Sequence, residues 1–200
     1  MSLSDTLGHM KEIVQDGAAV LREVAEPVPE KLFGSTKLAS LIKDMSVTLD
    51  AELDGVALAA PQVGVSWRLF IVRMDRVDVP LLTEGGGTPA APRPAIVDVY
   101  INPRITKTSR KRARADEGCL SVRGIYGSTS RHERVTLVAQ NADGSLFTRG
   151  AGGLLAQIFE HEVDHLNGIL FTDGAENVVE IRPSSAEASE GTAHYHEPAT

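Results

Sequence analysis

Residues 161–165 read His161-Glu162-Val163-Asp164-His165. Two histidines four apart on a helix share one face, about one turn apart. Both imidazoles can therefore reach one divalent ion. Glu162 follows the first of them and can reach a water held by the same ion, which makes it a candidate general base. A catalytic centre of this kind wants three protein ligands and one open position. The histidines supply two, so a third ligand must come from elsewhere in the chain.

Three sources compete. A metzincin protease continues with glycine three residues after the second histidine and another histidine three beyond. Gly168 fits that pattern, but Phe171 stands where the histidine should be. A thermolysin-like protease takes a glutamate from a helix further on. Glu176 and Glu180 lie downstream, but no convincing helix carries them. The remaining candidate is Cys119, the chain's only cysteine. A thiolate binds zinc or ferrous iron strongly, and metal binding itself drives its deprotonation. Taken singly, a lone cysteine is more often a small buried hydrophobe, and the His–Glu pattern alone is ambiguous. Together with two further motifs they favour a metal site.

Those motifs are Gly55-Val56-Ala57-Leu58-Ala59-Ala60-Pro61-Gln62 and Glu117-Gly118-Cys119-Leu120-Ser121. With the histidine motif, and in this order, they resemble the peptide deformylase family from about Ile13 to Phe171. The second and third motifs match in full. In the first, Ala57 stands where the family has its second glycine. Arg123 stands where the family usually has proline. The resemblance implies an α+β fold, with a central helix carrying the histidine motif against small antiparallel sheets. It implies a hydrolase that removes the N-formyl group from the N-terminal methionine of newly made polypeptides. Cys119, His161 and His165 would hold one divalent metal, ferrous iron in the cell, with zinc, nickel or cobalt able to substitute. Glu162 would be the acid/base. Gln62 and the backbone N–H of Leu120 would stabilise the oxyanion.

The chemistry accounts for these residue types. Hydrolysis of a formamide passes through a negatively charged tetrahedral species. A divalent ion lowers the pKa of its water from about 15.7 toward ~7. Glu162 can take the proton as the water attacks and return it to the leaving amine. Each preorganised oxyanion donor is worth on the order of 3 kcal/mol. Gly55 permits backbone angles closed to other residues and allows close approach of a substrate chain, which could add as a strand beside Val56 and Ala57 and be held by main-chain hydrogen bonds. Ile158 and Leu154 share the face of His161 and are candidates for an apolar slot for the first side chain. Glu117 and Gly118 complete the substrate-binding candidates.

These residues need a scaffold. The stripe Leu38, Leu41, Ile42, Met45, Leu49 and Leu53 predicts a helix over 36–54, with Ser35 or Thr36 as cap. Strands are expected at 69–73, 95–102 and 134–140, the last followed by the turn signal Asn141-Ala142-Asp143-Gly144. The metal helix should span 152–167, with Gly168 as its stop. Asp164 cannot share the metal-facing direction of Glu162 and is a candidate partner for an arginine such as Arg131. Residues 83–95 read as an exposed loop. The first dozen residues read as loosely structured. One metallohydrolase domain over 1–172 is expected, followed by a flexible polar tail over 173–200.

Composition narrows the setting. Two hundred residues suit one domain with a real core. One cysteine excludes an internal disulfide and fits a reducing cytosol. No run of 18 apolar residues occurs, and Met1 to Asp5 does not read as a signal peptide, so a cytoplasmic protein without a membrane span is expected. A net charge of −7 argues against a dedicated nucleic-acid binder. The basic run Arg104, Lys107, Arg110, Lys111, Arg112 and Arg114 reads first as a solvated face. Its sharper reading is transient contact with ribosomal RNA.

Overall fold

The structure is a computed structural model and describes residues 8–77 and 95–181. Helix α1 (Thr36–Ala51) begins where Ser35 accepts a hydrogen bond from the Leu38 N–H at 3.2 Å, a side-chain cap on an otherwise orphaned donor. Its buried stripe is Leu38, Leu41, Met45 and Leu49. The helix ends three residues earlier than the apolar spacing predicts. Leu53 lies beyond it and is 89% exposed, so it is not part of the stripe.

Among the described residues eight strands follow: β1 (Ala57–Ala59), β2 (Leu69–Arg73), β3 (Val97–Thr108), β4 (Arg112–Cys119), β5 (Val122–His132), β6 (Arg134–Gln140), β7 (Leu146–Gly152) and β8 (Glu176–Glu180). A short helix α2 (Met74–Val77) lies between β2 and β3. The strands form two antiparallel sheets, ordered β1-β2-β3-β6-β7 and β4-β5-β8. β2 is buried on both faces and reads as a continuous apolar run, Leu69-Phe70-Ile71-Val72. Leu69 and Ile71 pack toward α1, with Leu58 and Ile101. Phe70 and Val72 pack toward α3 (Gly153–Leu166), against Phe159 and Val163.

The α+β class predicted from the sequence is the fold observed, with α3 as the helix of the histidine motif. Ala156, Phe159, Val163 and Leu166 fix it to the five-stranded sheet. Gly168 terminates the turn after it at φ +74, where a Cβ would lie 2.6 Å from the Arg22 carbonyl oxygen, so no other residue fits.

Two expectations need correction. Residues 176–180, placed in a flexible tail, form β8, which is held by backbone pairing to β5 (Tyr126 opposite Val179). Every β8 side chain is exposed, so Val178 and Val179 mark no buried face and the strand lacks the apolar alternation of a half-buried one. Residues 8–16 are also tied down: His9 N–H donates to Asp44 at 2.7 Å and Lys11 N–H to Thr48 at 2.8 Å, both on α1. Residues 1–7, 83–94 of the predicted loop and 182–200 of the predicted tail lie outside the described residues. Among the described residues, no helix is long and apolar enough to cross a membrane.

Candidate metal centre

Two pieces of chain meet at the site. β4 and β5 form a hairpin whose last pair is Cys119 opposite Val122, so Cys119 stands at the edge of the turn Leu120-Ser121. Facing it, α3 presents His161 and His165 one turn apart, with ring centroids separated by 4.9 Å. The thiol sulfur of Cys119 lies 3.2 Å from His165 Nε2. One donor atom from each of Cys119, His161 and His165 falls within 4.8 Å of the other two. Ligand bonds of roughly 2.0–2.3 Å join donors at about this spacing.

The surroundings suit a cation. Burial alone would lower the pKa of His161, but its hydrogen bonds with Cys119 and Glu117 outweigh burial and raise it. The site therefore draws positive charge to that ring. Burial holds His165 well below its ordinary value, leaving a neutral imidazole, the form that ligates. Glu117 accepts from His161 Nδ1 at 3.0 Å, which leaves the other ring nitrogen for the cluster. Burial would push the Glu117 carboxyl up, yet the bonds from His161 and Arg131 hold it at about 2. Arg131 donates to both Glu117 oxygens at 2.7 and 3.0 Å and to Asp164 at 2.6 Å.

Glu162 is buried beside this cluster, and its Oε2 has no hydrogen-bond partner among the described residues. Burial pushes its carboxyl up to about 7, with His161 pulling it back and Glu117 adding to the rise. A buried carboxylate oxygen without a partner is costly unless something else fills the site. Gln62 completes the inner wall. Its Oε1 accepts from the Ala59 N–H at 2.8 Å, which fixes the amide orientation. Its Nε2 donates to Ser121 Oγ at 3.2 Å and to Cys119 Sγ at 3.5 Å.

Gln62, Glu117, Cys119, His161 and Glu162 line a cavity of about 400 Å³ that also takes in Gly55, Val56, Ala57, Gly118, Leu120, Leu154 and Ile158. The catalytic, metal and substrate-binding candidates named from the sequence therefore meet in one cleft, except His165, which is buried 3.2 Å from the Cys119 sulfur and does not line the cavity. Their surroundings revise three of the reasons given for them. Gly55 does not adopt a positive φ; a Cβ there would meet Leu49 at 2.8 Å and Leu120 at 3.1 Å, so the demand is for space. The Glu117 carboxylate is engaged by Arg131, Thr129 and His161 rather than left open to a substrate. Leu154 is 46% exposed, whereas Ile158 is buried. Sequence reasoning missed Ser121, fully buried against Gln62, and Gln15, whose Nε2 donates to the Leu120 carbonyl at 3.0 Å. Gln15 had no signal: it is a single polar residue between Val14 and Asp16 that belongs to none of the three motifs.

A model of the polypeptide deformylase family matches residues 10–180. The chain belongs to that family. The peptide deformylase of Symbiobacterium thermophilum is 39% identical over 179 residues, covering 90% of this chain and 71% of the relative. That of Carboxydothermus hydrogenoformans is 36% identical, covering 84% and 95%. Among solved structures, the Thermotoga maritima peptide deformylase superposes with a TM-score of 0.69 at 34% identity, covering 84% of this chain and 99% of that one. A class I type b peptide deformylase from Acinetobacter baumannii, bound to Met-Ala-Ser, gives a TM-score of 0.68 at 33% identity over 82% and 98%. Peptide deformylases are metal-dependent hydrolases that remove the formyl group from an N-terminal methionine, and this chain is an enzyme of that kind.

Proposed function

We propose that this peptide deformylase works through Glu162, Gln62 and the Leu120 N–H, with Cys119, His161 and His165 holding one divalent ion. The observation that carries the reading is the unpartnered Oε2 of buried Glu162 next to a Cys–His–His cluster. A thiolate with two imidazoles disfavours magnesium and calcium and suits ferrous iron or zinc; ferrous iron is the proposed ion in the cell. When bound, the ion acts as a Lewis acid that makes water nucleophilic at neutral pH.

The chain's own groups do the rest. Glu162 accepts the proton of the attacking water and delivers it to the leaving nitrogen. The C–N bond of the formamide breaks, and formate and a free amine result. Gln62 Nε2, oriented by Ala59, and the Leu120 N–H donate to the oxygen that becomes negative. The peptide lies beside β1, which among the described residues pairs on one side only, with β2. Val56 and Ala57 line the cavity next to that free edge, so main-chain hydrogen bonds can hold a peptide without reading its side chains. Ile158 and Leu154 receive the methionine side chain. Glu117, held by Arg131, orients His161 and does not contact substrate.

The substrates are nascent formylated polypeptides, and the proposed location is the cytoplasm. Arg104, Lys107, Arg110 and Arg114 are exposed and could contact ribosomal RNA; association that weakens with added salt is the expected sign. The test of the mechanism is formate release from formyl-Met-Ala-Ser combined with metal analysis. Glu162→Ala should keep its metal and lose turnover. Full formate release by that variant would refute the role of Glu162.

A further inference from the structure

We propose that Arg123 and Glu52 form a charge-reading clasp at the mouth of the cleft, which selects peptides by the charge of the residues that follow methionine. The proposal rests on the deformylase reading above and adds a specificity to it. Arg123, on β5 just after the Cys119 turn, donates two parallel hydrogen bonds to Glu52, Nη1 to Oε2 at 3.0 Å and Nη2 to Oε1 at 2.7 Å. This bidentate geometry fixes both side chains. Glu52 caps the end of α1, three residues before Gly55. The pair thus joins the wall that carries Gly55, Val56 and Ala57 to the wall that carries Gly118, Cys119 and Leu120.

Both partners line the cavity, and the Arg123 side chain is 53% exposed, open to a charged group passing through the mouth. The bond to Arg123 lowers the pKa of Glu52, and the bond to Glu52 raises that of Arg123. Each therefore stays charged and neutralises the other. Apart from His161, Arg123 is the single cationic side chain among the described residues lining the cavity. Asp54 and Asp116 line the same cavity with no arginine or lysine bonded to either among the described residues. The clasp masks Glu52 and leaves the mouth mildly negative. A lysine after methionine should be favoured over a glutamate.

The two halves of the clasp make opposite predictions. Arg123→Ala unmasks Glu52 and adds a negative charge. Glu52→Gln unmasks Arg123 and adds a positive one. The experiment measures kcat/KM by formate release from formyl-Met-Ala-Lys and formyl-Met-Ala-Glu, with formyl-Met-Ala-Ser as the neutral reference. The lysine-to-glutamate ratio should rise about three- to tenfold in Arg123→Ala and fall by a similar factor in Glu52→Gln at low salt. It should return near the wild-type ratio in the double variant, and all ratios should converge in about 0.5 M salt. A purely structural clasp would slow all three peptides together, so ratios that stay fixed, or move the same way in both variants, overturn the proposal. If the wild-type enzyme released no formate from any of the three, the deformylase reading would fall with it.

Discussion

The two faces of the five-stranded sheet are built on different physics. Under α1, Leu38, Met45 and Leu49 pack on Leu58, Leu69, Ile71 and Ile101 in an apolar cluster, while the two polar residues that α1 buries, Asp44 and Thr48, are bonded to the backbone of His9 and Lys11. Such packing is non-directional and contributes in proportion to area removed from water. Beyond α3, on the side of the cleft, Glu117, Glu162 and His165 are as buried as those leucines. There the protein encloses carboxylates and imidazoles, which costs free energy unless each is paired. Glu117 is paired twice over, by Arg131 and His161, while Glu162 Oε2 and His165 Nδ1 have no partner among the described residues. One face therefore stabilises the fold, and the other holds groups that the fold alone does not satisfy. That division yields variants that separate stability from activity.

The widest separation should come at Glu162. Glu162→Gln should cut turnover by about 10²–10⁴-fold, the range for loss of a positioned acid/base. It should leave the melting temperature unchanged or raise it, because a buried ionisable group has been removed. A marked fall in melting temperature would mean that Glu162 belongs with the stabilising face. Next comes Arg131→Met, which should damage both properties. It strands the Glu117 carboxylate, 2% exposed, and releases Asp164. Breaking a buried pair by removing one partner costs about 3–5 kcal/mol. Loss of the orienting hydrogen bond on a ligating histidine costs about 10–100-fold in metal affinity. Thermal melts and a metal titration read the two losses separately.

Met45→Ala provides the opposite case to Glu162. Met45 is fully buried under α1, and truncating a core residue of its size costs about 2–5 kcal/mol. Turnover per bound metal should be that of the parent at temperatures where the variant is folded. A drop in turnover of more than a few-fold would show that the two faces are coupled through the sheet.

The same contrast explains which parts of the molecule were legible in the sequence. The apolar face writes itself as periodicity. The Leu38–Leu49 stripe located α1, the run Leu69–Val72 located β2, and Arg134–Gln140 was recovered with its full bounds. The Cys119–His161–His165 cluster was legible because helical spacing places His161 and His165 together and the chain holds one cysteine. What could not be read was structure held by backbone bonding or by contacts between distant polar residues. β8 has five exposed residues and depends on its pairing with β5. β3 runs on through Arg104 and Lys107 to Thr108 because β6 pairs with it there, although its outer half is polar and mostly exposed. The work of Glu117 depends on Arg131 and on His161, 44 residues away, and no local pattern signals such a contact.

The smallest predicted effect tests whether a polar pair outside the cleft behaves like those inside it. Asp75, on α2, accepts from Arg73 at 2.9 and 2.8 Å and from the Ile96 N–H at 3.0 Å. The hydrogen bonds from Arg73 are the main cause that lowers its pKa, against a smaller cost of burial. A carboxylate with a depressed folded pKa adds stability above its unfolded pKa, and that stability is lost as pH falls toward the folded value. Asp75→Asn should therefore cost on the order of 1 kcal/mol at pH 7, and the gap from the parent should narrow below about pH 4, where the unfolded carboxylate protonates. Melting curves at pH 7 and pH 3 measure both. Arg73 reaches the cleft only through its backbone N–H, which donates to the Val56 carbonyl at 2.8 Å and is untouched by Asp75→Asn, so formate release at pH 7 should be unaffected. A gap that widened in acid would mean that Asp75 is stabilised in its protonated form, and the Arg73 bonds would not be the ones that matter.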